Sequence, residues 1–198
     1  MFYSILGMIA FAIPAIAQCS RENLKQLGDA YILAQSSGQV TAFSGDVVYS
    51  ENFKSTPIKT GILSKALKID HNRTTYDTTA CATYTELIIT DAAHPYVIGT
   101  QAHYANGTAV KIETIITDQG DWLFNAKDTL RWALTESWAE IPAEQRDTRA
   151  VIQAAADAYC DSKPSFRVVY LFHEIRTEQR SASSSDICRR VFRAANIT

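Results

Sequence analysis

Beyond residue 17 the chain has no apolar stretch approaching the roughly 20 residues a membrane-spanning helix needs, so any membrane signal is confined to its start. Neither sign of charge dominates. The 19 Lys and Arg against 21 Asp and Glu leave a net charge of −2, which excludes the basic face of a nucleic-acid binder. Histidine is scarce, and His71, His94, His103 and His173 show no metal-ligand spacing. No cysteine pair has the Cys-x-x-Cys spacing of a zinc or redox motif. The Gly-x-Ser-x-Gly elbow, the His-Glu-x-x-His motif and a phosphate-binding glycine loop are all missing. No metal and no cofactor are therefore expected. The 46% hydrophobic and 20% charged content is that of a globular domain with a proper core, not of a disordered tail.

What is present points to export. Met1 to Ala17 is apolar almost throughout, Pro14 breaks it, and Ala15-Ile16-Ala17 offers the small residues of a signal-peptidase site. No Lys or Arg precedes the run, so the free amino terminus supplies the positive charge. A cleaved signal over 1–17 is expected, with the mature chain starting at Gln18 in the secretory lumen or outside the cell and no membrane span remaining. Cys19, Cys81, Cys160 and Cys188 all follow the cut, and their even number suggests two disulfides in any of three connectivities. Three acceptor sequons for N-linked glycans begin at Asn72, Asn106 and Asn196.

Periodicity then divides the chain. Apolar residues at helical spacing predict a helix over 22–35, with Ser20 as N-cap and Ser36-Ser37-Gly38 as its end. An extended run follows over 46–50, then a loop from Pro57 into a short helix after Gly61. Residues 83–90, 96–104 and 109–117 read as an antiparallel meander, and Asn106-Gly107 gives the strongest short-range hairpin signal. Trp122-Leu123-Phe124 reads as a last extended piece, and 127–138 as a helix. Another helix is capped by Asp147 or Thr148, with Ala150, Val151, Ala154, Ala155, Ala158 and Tyr159 as its apolar stripe. The Asp-Ala-Tyr of the first helix (29–31) recurs in the last (157–159). The expected organisation is one α+β domain over 18–161 and an irregular tail over 162–198, which also reads as a truncated second unit.

Tyr49-Ser50-Glu51-Asn52, Pro95-Tyr96-Val97-Ile98-Gly99-Thr100, Trp122-Leu123-Phe124-Asn125 and Arg146-Asp147-Thr148-Arg149-Ala150 together resemble a family of secreted fungal proteins with a domain of unassigned function. The resemblance covers about 19–161, and the tail departs from it. That family is distantly similar to the SnoaL and NTF2-like group. The resemblance implies helices packed on a curved antiparallel sheet, a cone enclosing an apolar pocket.

Within such a cone a carboxylate among apolar neighbours handles protons near neutral pH. Glu51 is the first candidate, with Tyr49 as hydrogen-bond donor to a developing oxyanion and His103 as a second base. Asn52, Glu86, Tyr104 and Trp122 would line the cavity. Each has a commoner role: Glu51 and Asn52 in a strand-end turn, His103 on a strand surface, Glu86 in a cross-strand ion pair, the tryptophans as packing residues. The resemblance implies a cofactor-free isomerase, cyclase or dehydratase of a fungal secondary-metabolite pathway, acting on a small apolar or oxygenated molecule. The rival is a non-catalytic secreted binding protein with the same cavity. A homodimer is compatible with either.

Overall fold

A computed structural model describes residues 19–43, 45–121 and 123–161. The expected signal peptide, Trp122, Cys188, Asn196, the side chain of Cys160 and the tail from 162 lie outside the described residues. Helix α1 spans Arg21–Ser37 and starts as its sequence demands: the Ser20 hydroxyl accepts from the Asn23 N–H at 3.2 Å, and Glu22 lies in the first turn. It ends at Gly38, whose φ of 70° is a left-handed cap, with its N–H on the Ala34 carbonyl at 2.7 Å. Leu24, Gly28, Tyr31, Ala34 and Gln35 form the buried stripe. Gly28 is needed for closeness, since an added Cβ would stand 3.0 Å from the Thr74 methyl.

Strands follow in the order β1 (Val48–Glu51), β2 (Lys54–Ser55), β3 (His71–Asp77), β4 (Ala82–Ile89), β5 (Tyr96–Ala105) and β6 (Thr108–Asp118). They form one open six-stranded sheet, ordered β2-β1-β6-β5-β4-β3, so the chain is α+β. The meander β3 to β6 is antiparallel, and β1 joins it parallel to β6, Tyr49 beside Ile112 and Glu51 beside Thr114. Asn106 and Gly107, at φ 53° and 73°, close the β5–β6 hairpin as the dipeptide predicts. Strand β3 was not expected. Its sequence, His-Asn-Arg-Thr-Thr-Tyr-Asp, is too polar to announce itself; pairing with apolar β4 and packing under α1 make it a strand.

Alternation gives the sheet two unlike faces. The face under α1 holds the main core, where Leu24, Tyr31 and Ala34 meet Leu87, Ile98, Ile112 and Tyr49. Behind it, Ile88 packs with Ala126 and Ala133 of α2, which spans Ala126–Ala133. Asn125 caps α2, accepting from the Asp128 N–H at 3.1 Å. This helix stops short of the predicted Trp138. The Trp138 ring instead stacks 3.7 Å from the Arg73 guanidinium, and its indole N–H donates to Glu136, which draws the segment to the sheet.

Helix α3, Arg149–Asp161, is tied to the end of β3 by an ion pair from Arg149 to Asp77. The Thr148 hydroxyl accepts from the Val151 N–H at 3.4 Å. The predicted stripe is not the one that packs: Ala150, Val151, Ala154, Ala155, Ala158 and Tyr159 are exposed, and Ala156 is the buried residue.

A disulfide joins Cys19 to Cys81, closing a loop of sequence separation 62 and pinning the start of α1 to the β3–β4 turn. Among the described residues no helix is long and apolar enough to cross a membrane. Chain-entropy reasoning puts the bridge at about 4 kcal/mol. Cys81→Ser, or mild reduction, is therefore expected to lower the thermal midpoint by roughly 10 °C, read by circular dichroism with and without reductant; an unchanged midpoint contradicts it.

Candidate functional site

The end of β1 is built from a turn that costs conformational energy. Asn52 and Phe53 have φ of 46° and 66°, a type I′ hairpin between β1 and β2 with Glu51 opposite Lys54. Asparagine tolerates this region, but phenylalanine there costs about 1 kcal/mol. Asn52 supports the turn. Its backbone N–H donates to the Thr114 carbonyl, its Nδ2 to the Ile116 carbonyl, and its Oδ1 accepts from the Ile116 N–H at 2.8 Å. Its side chain thus continues the ladder beside β6 after the backbone has turned away. The commoner role of a Glu-Asn pair, a strand-end turn, is where these residues sit.

Glu51 and Tyr49 lie on the α1 face and meet. The Tyr49 hydroxyl donates to Glu51 Oε1 at 2.7 Å, and the Ile62 N–H donates to the same oxygen. Ile62 opens a short 3-10 turn over Ile62–Ser64, held from behind by Gln35 of α1, whose Nε2 donates to the carbonyls of Ile62 and Lys65 at 2.9 and 3.0 Å. Gly61 lets the turn approach: an added Cβ would stand 2.6 Å from the Tyr49 ring and strike the Glu51 carboxylate.

Behind Glu51 runs a buried line of hydroxyls. Thr114, beside Glu51 in the β1–β6 pairing, has its Oγ1 3.0 Å from Thr100 Oγ1, which lies 2.7 Å from the Tyr31 hydroxyl. Tyr31, Thr100 and Thr114 thus satisfy one another away from water. Burial raises the pKa of Tyr31 and Tyr49, helped at Tyr49 by the Glu51 bond, so both stay protonated donors. Thr100 and Thr114 were not singled out from the sequence. Their signal was their place among Ile98, Ala102 and Ile112 on alternating core positions.

In front of Glu51 opens a cleft of about 430 Å³. Its walls carry Asn52, Thr56 and Thr60, two lysines (Lys54 and Lys65) and two more carboxylates (Asp118 and Asp121), with Tyr96, Ile62 and Ile116 as the apolar part. The lysines and aspartates of this lining had no motif to reveal them. The β1–β6 pairing and the loop after β2 gather them from separate parts of the chain.

The other candidates are not brought there. His103 lies on the opposite sheet face from Glu51, half-buried, across β6 from Lys111. Glu86 stands opposite Arg73 and pairs with it at 3.3 Å, the cross-strand ion pair. Tyr104 shares the α1 face but is buried in the core, its hydroxyl 3.1 Å from Thr83 Oγ1 and its pKa pushed up to about 12 by burial. Asn72 is exposed on β3 and Asn106 at the β5–β6 hairpin tip. Among the described residues, no group of three or more His, Cys, Asp and Glu is placed to hold a metal ion.

No protein-family model matches the chain, and neither a curated protein nor a solved structure does.

Two measurements check this geometry. Gly61→Ala is expected to cost about 1–3 kcal/mol, because the turn must withdraw from Tyr49 and Glu51; a variant as stable as the parent in urea would contradict that packing. Burial, then the Lys111 charge, holds the His103 pKa below its ordinary 6.5. The unfolded chain therefore takes up this proton first, so His103 contributes stability above about pH 6.5 that is lost on acidification through its folded pKa. His103→Gln should flatten the fall in stability between about pH 7 and pH 5; an identical slope would refute it.

Proposed function

We propose that this is an exported protein that binds a small oxygenated molecule in the cleft at the end of β1. The observation that carries the reading is the fixed carboxylate of Glu51, gripped by the Tyr49 hydroxyl and the Ile62 N–H at the wall of a cleft of about 430 Å³. That volume suits a small ligand. The lining favours a ligand with several hydroxyl, carbonyl or amine groups over a purely apolar one, since hydroxyl, amide, ammonium and carboxylate groups outnumber apolar side chains. The disulfide supports the export reading, because such bridges persist in oxidising compartments. The NTF2-like cone belongs to the same proposal. It is supported by a leading helix on one face of the sheet and by the antiparallel β3–β6 meander.

A second reading, proton transfer by Glu51 in an isomerisation, cyclisation or dehydration, is favoured by the Tyr49 hydroxyl held 2.7 Å from the carboxylate. In that chemistry Glu51 takes a proton from the ligand while Tyr49, a protonated donor, stabilises the developing oxyanion after turning from the carboxylate. Glu51→Gln separates the two. A charge-assisted hydrogen bond is worth about 1.5–3 kcal/mol, so binding predicts roughly 10- to 100-fold weaker affinity for an oxygenated ligand found by thermal-shift screening. Proton transfer predicts abolished turnover with affinity largely kept. A variant with parental affinity and parental turnover would sink both.

A further inference from the structure

Strand β3 is an open edge of the sheet, with no strand beyond it among the described residues. The other edge, β2, is two residues long and too short to template a partner. The seven residues of β3 are long enough, and an exposed edge of that length invites pairing with a second chain. Among the described residues the usual guards are lacking. No proline interrupts His71–Asp77. Arg73 is drawn onto the second face by Glu86, Glu136 and the Trp138 ring. Asp77 is buried, accepting from the N–H groups of Thr79 and Ala80 and pairing with Arg149.

The exposed residue of β3 is Asn72, the acceptor of the sequon Asn72-Arg73-Thr74. By alternation it shares the α1 side with Thr74 and Tyr76. Thr74 lies beneath Gly28, and Tyr76 packs on the core, while Asn72 stays open to solvent. A substituent therefore leaves Asn72 without displacing a helix residue. We propose that Asn72 carries an N-linked glycan that shields the β3 edge from strand addition by a second copy of the chain.

The reaction is a transfer from a lipid-pyrophosphate-linked oligosaccharide in the secretory lumen. The Asn72 amide nitrogen forms a bond to the anomeric carbon as the bond from that carbon to the pyrophosphate oxygen breaks. Lipid pyrophosphate leaves with the electron pair, and the nitrogen gives up one proton. In the folded chain the Thr74 hydroxyl lies 3.0 Å from Thr85 Oγ1, so transfer precedes β3–β4 pairing. This inference rests on export and not on the cleft. Asn106, at a hairpin tip, would carry a glycan away from the edge, so its loss serves as the control.

The full chain is expressed through a eukaryotic secretory route, and its Asn72 peptide is examined by glycopeptide mass spectrometry. Light scattering then gives the size of the parent, Asn72→Gln and Asn106→Gln proteins. The expected result is a glycan on Asn72, monomeric parent and Asn106→Gln proteins, and at least a doubling of apparent mass for Asn72→Gln with rising concentration. If Asn72→Gln is not recovered, trimming the folded parent glycoprotein to a single sugar with an endoglycosidase should give the same doubling. An unmodified Asn72 overturns the proposal, as does a monomer after substitution or trimming.

Discussion

The stripe that helix α1 buries against the sheet includes two polar side chains, Tyr31 and Gln35, whose hydroxyl and amide N–H groups find partners in the protein while Gln35 Oε1 finds none. Each reaches a different support of Glu51. Tyr31 meets Thr100, which meets Thr114 beside Glu51 in the β1–β6 pairing, and Gln35 holds the turn whose Ile62 N–H grips the carboxylate. A burial requirement in the core is thereby converted into the position of one carboxylate at the surface. Replacing either polar residue by an apolar one would leave unpaired groups behind, which is costlier than the loss of the bond itself.

The open sheet separates two chemistries. On the α1 side the Tyr31, Thr100 and Thr114 hydroxyls form one connected line, and Tyr49 and Glu51 form a pair at the cleft. On the other side they form ion pairs, Arg73 with Glu86 and Glu136 and Lys111 with Glu113, the last of these beside a half-buried His103. A sheet one residue thick keeps these sets apart, so His103 does not face the cleft that Glu51 lines.

Much of the scaffold was legible in the sequence. Ser20 and Gly38 bracket α1, Asn106-Gly107 marks the hairpin, and alternation along β4 to β6 separates core from surface. Those signals are local. What escaped was set at a distance: β3, polar in sequence, is a strand because β4 and α1 cover it; α3 leaves its apolar stripe exposed while Arg149 pairs with Asp77; and Trp138 leaves its helix for Arg73. At the site, Tyr49 and Glu51 stand two apart on one strand and could be paired by period alone. The cleft lining came together only through a parallel pairing that no short-range pattern encodes.

That parallel pairing also sets an order of assembly. Val48 meets Lys111 and Glu51 meets Thr114, so β1 and its tight turn have no ladder to join until the whole antiparallel unit downstream has been made. Loop-closure entropy delays such distant contacts. The wall that holds Glu51 therefore waits on β6, a strand made well after β1.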